Sequence, residues 1–561
     1  MKRLKKPMDS KSQYGDNEVK GDIFFPQVWT VFGPAGKGDP EPDFAGMTDI
    51  PAELVVAGNR LAAKQAVFAE NCLELGALLD DRLYKGPGTE AGYLLAELVV
   101  DKDMEVEFGA GADYWMKWWI NGEVVCDTLA LGNNGALSIV NHRFPVRLKA
   151  GRNLIAVQVV NGDGGFGLSA GGPRELRAWR NRLDAIVKAR AARTATPGRP
   201  IQAIKEDWDT VKTRLTHWWA NELYDRAVLC VTAPKYGVEP ARPWPGGAVT
   251  PEIHWTNVDY MIWRMEEQIR TTCFGGDAVP VFAPGWSVGH ALLFGCEPKF
   301  RPGTVWTDPL PAGPDGYPPI RFHREGRWRQ WMNEATLKAA QASRGRWFVN
   351  PAWGNDAGDI LSNIRGDMSL MVDIADNPGW VKHAVKQVSD ILIEVYEEWW
   401  KMADESVSGF EGSMAYAMWS PGRGKEFSCD ISCNISPKQF EELFLPPLIE
   451  AMRTVDHRYY HLDGAVALHH LDLLLSVPEI HAIQWQPGTG HFEIMQWVPL
   501  IKRIQQAGKS VQVFCSPQSI PALLNEVSAR GLCIVTSCAS EVEIQDLERQ
   551  ATRLSRDRQI Y

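Results

Sequence analysis

The side chains that could carry chemistry lie in the C-terminal half of the chain, directly after short apolar runs. His461 and Asp463 form a His-x-Asp pair in YYHLDGA, Asp430 closes FSCD, and Cys538 follows CIVTS. Imidazole, carboxylate and thiolate groups bind metal ions and also act as general acids and bases. We therefore predict a pocket around His461 and Asp463, with Asp430 as a third catalytic group.

Further polar and aromatic side chains end the neighbouring apolar runs and are predicted to contact a substrate. Asp356 and Asp359 lie in GNDAGDI, where they also fit the first turn of a helix, since acidic groups favour the N-terminal end of the helix dipole. Both roles remain open for this pair. The other predicted substrate contacts are Trp353, Trp419, Gln484 and Trp485.

The elements that must position these groups alternate over residues 204–561. Strand-like runs, from RAVLCVTA to CIVTSCA, are separated by helical stretches such as 380–402 and 542–554. Alternating strands and helices indicate a parallel sheet, and about eight such units suit a (β/α)8 TIM barrel. An open doubly wound sheet is the alternative. In a barrel, the reacting groups stand at the carboxyl ends of the strands.

The N-terminal part has a different organisation. Between residues 23 and 173, short β-rich runs such as MEVEFGA and NLIAVQVV are separated by turn residues, which predicts an all-β sandwich or jelly roll. Residues 62–78 form either a helix or a pair of strands. Polar residues 1–22 are predicted to be a disordered tail, and residues 174–203 a helix and linker. The predicted fold class is thus multidomain, with a β-sandwich followed by an α/β barrel.

Composition limits the partners. A net charge of −10 argues against nucleic-acid binding, which needs a basic face. No run approaches the ~18 apolar residues that span a bilayer, and no apolar stretch follows the basic N-terminus. The ten cysteines include no C-x-x-C pair, which is typical of reduced thiols. We expect a cytoplasmic protein that acts on a small molecule, of unspecified oligomeric state.

One pattern in the predicted barrel resembles a known family. Ile435, Ser436 and Pro437, followed by Phe440 and Pro446, look like the strand-to-helix entry of the uroporphyrinogen decarboxylase and corrinoid methyltransferase superfamily. The similarity extends over most of 205–561. The arginine-rich Met-Arg-Gln-Ala-Gly-Arg motif of the decarboxylases is missing, and APKYGVEPARPWPGG stands in its place. Haem-pathway decarboxylation is therefore not expected.

The resemblance implies a metal site. In corrinoid methyltransferases, a His-x-Cys pair and a cysteine near the last strand hold a zinc ion that activates a thiol methyl acceptor. The matching positions are His461, Asp463 and Cys538, so a carboxylate replaces the first cysteine and makes the ligand set harder. The resemblance implies a methyltransferase-type activity on a methylated compound, zinc, and a corrinoid protein as methyl carrier. A metal-free site in which His461 and Asp463 act as acid and base is the alternative.

A second resemblance concerns the N-terminal region. The Asn121–Gly122 dipeptide, followed by the turn residues Leu148, Gly151 and Asn153, looks like the galactose-binding-like sandwich attached to many carbohydrate-active enzymes. Such modules either bind sugar or only pack on the catalytic domain. This resemblance implies a second hypothesis, a carbohydrate-active lyase or hydrolase with stacking tryptophans and paired carboxylates. A third hypothesis is a barrel that has lost catalysis and only binds a ligand.

Overall fold

The computed structural model describes residues 19–69, 71–79, 90–133, 137–161, 165–192, 200–351, 353–409, 412–415, 418–488 and 493–558. The chain has a mixed α/β, multidomain fold with one large antiparallel sheet and one mainly parallel sheet. Most of the predicted disordered tail and the linker stretch 193–199 lie outside the described residues. No helix in the described part of the chain is long and apolar enough to cross a membrane.

The N-terminal sheet is antiparallel, and its strands pair in the order β4-β1-β6-β10-β7-β11-β5, with β8 and β9 also paired to β7. A separate hairpin joins β2 and β3. The strands are β1 Val28–Gly36, β2 Glu53–Val56, β3 Asn59–Ala62, β4 Lys64–Val67, β5 Cys72–Glu74, β6 Glu90–Val100, β7 Met104–Ile120, β8 Glu123–Asp127, β9 His142–Leu148, β10 Gly151–Asn161 and β11 Gly167–Gly171.

Local sequence accounts for much of this sheet. Asn121 and Gly122 both have positive φ (50° and 82°) and turn the chain from β7 into β8, as the Asn-Gly dipeptide predicts. Residues 62–78 contain β4, β5 and the start of a four-residue helix rather than one long helix. The core of the sheet holds Trp29 and Trp118, whose rings meet edge to face at 6.1 Å.

The second sheet has the order β13-β12-β24-β23-β22-β21-β20, and all its neighbours are parallel except β12 and β13. The pairs β14–β17 and β18–β19 lie outside this ladder, and β18 lies beside both β17 and β20. The strands are β12 Val228–Pro234, β13 Thr272–Gly276, β14 Val281–Phe282, β15 Pro298–Phe300, β16 Val305–Thr307, β17 Phe348–Val349, β18 Ser413–Ala415, β19 Met418–Ser420, β20 Gly424–Phe427, β21 His457–Asp463, β22 Ala482–Gln486, β23 Ser510–Phe514 and β24 Leu532–Ser537.

Helices cover the parallel sheet and connect it to the N-terminal sheet. The helical segment from Pro437 to Met452 is interrupted by a π turn at Phe440–Phe444. The α-helices are α1 Gly76–Leu79, α2 Thr128–Leu131, α3 Pro173–Ala191, α4 Trp208–Trp219, α5 Pro251–Thr256, α6 Val258–Thr271, α7 Arg327–Ser343, α8 Ala357–Arg365, α9 Asp367–Asp376, α10 Pro378–Met402, α11 Glu405–Ser408, α12 Pro437–Gln439, α13 Leu445–Met452, α14 Leu471–Ser476, α15 Val498–Gln506, α16 Ile520–Glu526 and α17 Glu541–Leu554.

Helix α3 attaches the N-terminal sheet to the C-terminal unit. Its Arg182 donates to Asp546 of α17 at 2.9 Å, and its Arg190 forms an ion pair with Glu541 at the start of α17. Leu183 of α3 packs in one apolar cluster with Val542. Because charge pairs and apolar contacts act on the same two helices, α3 sets how the N-terminal sheet faces the parallel strands.

A buried ion cluster stands at the amino end of the parallel sheet. The carboxylate of Asp277 is fully buried between Arg214 and Arg226, and Arg226 Nη1 donates to it at 2.8 Å. The backbone N–H of Leu229, in β12, donates to the same carboxylate at 2.8 Å. Asp277 therefore pairs with two buried arginines, one of which, Arg214, also pairs with Asp225, and it holds the first parallel strand.

We predict that Asp277→Ala lowers the free energy of unfolding by about 3–5 kcal/mol, because it removes the carboxylate that pairs with the buried Arg226 and one of the two carboxylates that pair with Arg214. Chemical denaturation followed by tryptophan fluorescence measures the loss. The control is Asp209→Ala, which removes the ion pair between Lys212 and the 73% exposed side chain of Asp209. Because exposed ion pairs contribute little, the free energy of unfolding of this variant should match that of the parent protein. Equal effects of the two substitutions would show that the buried cluster does not stabilise the fold.

Candidate functional site

The carboxyl ends of β20, β21 and β22 meet at one edge of the parallel sheet. His461 and Asp463, two residues apart on β21, point to the same face, and Asp430 follows β20. One ligand atom from each of these three side chains lies within 4.8 Å of the others. Asp430 and Asp463 are exposed and His461 is partly buried, so the group opens to solvent. The structure thus brings together the three residues that we predicted as catalytic.

Neighbouring side chains orient the imidazole of His461. Its Nδ1 contacts Oε1 of Gln484, the residue in register with it on β22, and lies 3.4 Å from Oε1 of Glu426. The Gln484 side chain is buried, and its Nε2 donates to the carbonyl of Trp485 at 3.3 Å. Gln484 Oε1 therefore accepts from the Nδ1–H of His461, which leaves Nε2 as the nitrogen available to a ligand.

The charges around His461 favour its protonated form. Burial lowers the pKa of His461, but the carboxylates of Glu426 and Asp430, with Gln484 and Asp463, outweigh burial and raise the pKa above its usual value. Burial also raises the pKa of Glu426 to about 7, against the opposing charges of His461 and Lys425. His461 and Glu426 thus form a pair that can hold and exchange a proton near neutral pH.

Sequence patterns missed Glu426 and its neighbour Lys425. Both lie on β20, a four-residue strand of sequence GKEF that has no apolar run to mark it. The parallel register with β21 places Glu426 opposite Tyr459, one strand away from His461. The only local signal is an acidic residue four positions before Asp430, which is too common to single out.

Asp356 and Asp359 lie beneath the site and hold the turn that carries Asp430. Asp356 accepts from Lys425 Nζ and from the backbone N–H of Ser428, both at 2.9 Å, and Asp359 accepts from the N–H of Ile431 at 2.9 Å. Both carboxyl groups are buried and flank the start of α8. Of the two roles that we considered for them, the structure favours the helix N-terminus, with an added function in positioning Asp430.

The same environment acts on both carboxyl groups. Burial raises the pKa of Asp356, although Lys425 opposes the shift. Burial and the nearby charge of Asp430 raise the pKa of Asp359 to about 7. Because both side chains are buried and hydrogen-bonded to the turn that carries Asp430, they support the site from within the protein.

Two of the three tryptophans predicted to contact a substrate, Trp419 and Trp485, are buried and not available to a ligand. Trp419 is 3% exposed and packs edge to face on Trp208 at 5.5 Å. Trp485 is fully buried against Trp497, because it alternates along β22 with Gln484 and so points to the opposite face. This corrects the prediction that Trp419 and Trp485 contact a substrate. Trp353 is half-buried in an apolar cluster with Trp286.

Cys538 does not join the predicted metal ligands. It follows β24, which is separated from β21 by β23 and β22, so about three strand spacings or ~14 Å lie between them. The thiol is buried, which raises its pKa and disfavours the thiolate form. In the group that the structure brings together, Asp430 stands where we had placed Cys538.

Comparison with known proteins adds little to this geometry. No protein-family model matches the chain, and no curated protein matches it. Among solved structures, a methyltransferase from Methanosarcina mazei is 15% identical over 61% of this chain and 98% of that chain, with a TM-score of 0.42. A β-glucuronidase from Faecalibacterium prausnitzii is 10% identical over 94% of this chain and 92% of that chain, with a TM-score of 0.20.

Identity and TM-score are low in both comparisons, so we infer nothing about activity from them. The superfamily resemblance of the sequence has no support from a family match. Fold and site define a general class: a multidomain α/β protein with a carboxylate–imidazole group at the carboxyl ends of parallel strands.

A further acidic residue, Glu493, follows β22 at the same edge of the parallel sheet. Glu493 is buried, and burial, together with Glu74 and Asp113 of the N-terminal sheet, raises its pKa to about 7. A carboxyl group with a raised pKa binds more protons in the folded than in the unfolded state between pH 4.5 and 7. Its protonation therefore stabilises the fold at low pH, and this contribution is lost as the pH rises through 7.

We predict that Glu493→Gln raises the free energy of unfolding by about 1–3 kcal/mol at pH 8 and leaves it nearly unchanged at pH 5. Calorimetric melting at both pH values measures the difference. Glu526→Gln, at an exposed position of α16, is the control and should show no such pH dependence. A destabilised Glu493→Gln protein at pH 8 would contradict the assigned direction of the pKa shift.

Proposed function

We propose that residues 204–561 form a (β/α)8-type barrel enzyme behind a jelly-roll sandwich of residues 23–173, and that its active site holds a divalent cation. Asp430, His461 and Asp463 would bind the cation, and the substrate would be a small, oxygen-bearing molecule. The observation that carries the proposal is the convergence of these three donors within 4.8 Å at the carboxyl ends of parallel strands. Support for closure of the barrel comes from β18, which lies beside β20 at one edge of the seven-stranded ladder, and from β17, which lies beside β18 and pairs with β14.

The residues present fit a catalytic metal site. Three protein donors leave coordination positions for substrate or water, as catalytic zinc sites do. Two carboxylates and one imidazole are a hard donor set that suits Zn²⁺ or Mn²⁺. Gln484 accepts from Nδ1 of His461, as the outer-layer partners of ligating histidines do. A cation bound there would polarise a substrate oxygen and stabilise the negative charge that develops on it.

The protein's own groups would position the substrate and move the proton. His461 and Asp463 would orient the substrate at the rim, and Asp356 and Asp359 would keep Asp430 in place through the Ser428–Ile431 turn. Glu426, 3.4 Å from His461 Nδ1, offers a carboxyl group that can exchange a proton with a substrate held beside it.

Methyl transfer remains the first candidate reaction. It rests on the sequence resemblance, as do zinc and the corrinoid protein as methyl carrier. The donor set changes the substrate that we expect for this reaction. A site without a cysteine ligand favours an oxygen-bearing methyl compound over a thiol. The carbohydrate-active alternative keeps its paired carboxylates but loses Trp419 and Trp485, which are buried and cannot stack on a sugar ring.

We predict that chelator-treated protein takes up one equivalent of Zn²⁺ or Mn²⁺, and that Asp463→Ala and His461→Ala each abolish stoichiometric binding. Titration calorimetry and elemental analysis after dialysis measure the uptake. The matched control is Asp472→Ala, whose carboxylate is 81% exposed and pairs with Arg503, and it should bind the metal like the parent protein. Equal metal content in Asp463→Ala and the parent protein would refute the proposed site.

Gln484→Leu tests the orientation of His461 separately. The substitution keeps the approximate volume but removes the acceptor of the Nδ1 proton, so metal affinity should fall about 10–100-fold while the fold is kept. The same calorimetric titration measures this loss, and circular dichroism checks the fold. An unchanged affinity would mean that Gln484 does not act on the metal site through His461.

A further inference from the structure

A cavity of about 990 Å³ lies between the N-terminal sheet and the C-terminal unit, away from the carboxylate–imidazole group. One wall comes from β5, β7 and β11, a second from α3, and a third from the carboxyl ends of β23 and β24 with helices α16 and α17. Ligand sites in proteins have volumes of roughly 300–1,000 Å³ and often lie between domains. We call this space the inter-unit cleft.

Several polar side chains on the walls of the cleft make no hydrogen bond with the described part of the chain. They are the half-buried amides of Asn71 and Gln518 and the exposed side chains of Asn525 and Ser537. Asn71 belongs to the N-terminal sheet region, and the other three belong to the C-terminal unit. Each amide offers both donors and an acceptor, which is the pattern that a hydroxyl group matches.

The charge of the walls limits the ligand. The described lining contains five acidic side chains and one arginine, so an anion would be repelled. Three of the acids already have partners in the protein: Glu175 accepts from the N–H of Gly172 at 3.0 Å, Glu543 from the N–H of Ala539 at 2.8 Å, and Asp546 from Arg182. The net negative charge would attract a cationic ligand, but such a ligand would have to compete with the hydrogen bonds that these carboxylates already accept.

Apolar surface completes the site. Trp179 of α3 and Phe514 at the end of β23 line the cleft, and the half-exposed ring of Tyr114 stands at its border. Aromatic rings give a small ligand apolar contact area, while the amides fix its orientation.

We infer that the inter-unit cleft binds an uncharged, hydroxyl-rich small molecule, held between Asn71 on the N-terminal sheet and Gln518 and Asn525 on the C-terminal unit. The cleft begins at β23, two strands or about 10 Å along the sheet edge from Asp463. This inference goes beyond the proposed metal site and does not depend on it. If the cleft binds a ligand, the N-terminal sheet forms part of a binding site in addition to packing against the C-terminal unit.

Calorimetric titration of the full chain with cellobiose and with myo-inositol tests the inference, and choline and citrate serve as a cationic and an anionic probe. At least one of the uncharged probes should bind, while choline and citrate should not. Gln518→Ala and Asn71→Ala should each weaken binding by about tenfold, since each removes hydrogen bonds to the ligand. Ala522→Trp, which fills the cleft from α16, should abolish binding.

The matched control is Gln545→Ala, an exposed glutamine of α17 that does not line the cleft, and it should bind like the parent protein. Circular dichroism verifies that each variant is folded. Asp463→Ala should lose metal and keep the ligand of the cleft, which separates failure of this inference from failure of the metal proposal. Binding of choline or citrate alone, no binding of either uncharged probe, or unchanged affinity in both amide variants would overturn the inference.

Discussion

The parallel ladder from β20 through β21 to β22 is the interaction on which the site depends. Its register sets Gln484 opposite His461 and places β20, the strand that precedes Asp430, next to β21. A shift by one residue would turn His461 and Asp463 to the helix-covered face, since side chains alternate along a strand. Backbone hydrogen bonds between strands that are distant in the sequence therefore decide whether Asp430, His461 and Asp463 meet.

Below this ladder, buried charged side chains hold the exposed side chain of Asp430 in place. Lys425 and Asp356 form an ion pair that is almost completely removed from solvent, and Asp356 and Asp359 accept hydrogen bonds from the backbone on either side of Asp430, at Ser428 and Ile431. Desolvation makes such groups costly, and each is compensated: Lys425 and Asp356 pair with each other, while Asp359 accepts a backbone hydrogen bond and has a raised pKa, which favours its neutral form. The same constraint recurs at Asp277, at the opposite end of the sheet.

The boundary between the N-terminal sheet and the C-terminal unit contains pairs of like charges as well as pairs of opposite charges. The ion pairs of Arg182 and Arg190 hold α3 against α17, whereas Glu493 faces Glu74 and Asp113 across the boundary. The unlike pairs keep the units together, and the excess of acidic groups gives the inter-unit cleft its charge. The cleft and the carboxylate–imidazole group share one edge of the parallel sheet, so both sites depend on the same strand order.

Local patterns in the sequence determined much of the fold and part of the site. The Asn-Gly turn, the helix that ends at Met402 and the alternation of strands and helices could be predicted, because each depends on neighbouring residues. The placement of Asp430, His461 and Asp463 after or at the ends of strands could be predicted in the same way, whereas the pairing of those strands brings the three side chains together. Tertiary structure alone decided the rest. Cys538 is separated from His461 by strand order, and Trp485 is turned away by the pleat. Glu426 is brought to His461 by pairing between strands about 30 residues apart, and no local pattern encodes such non-local pairing.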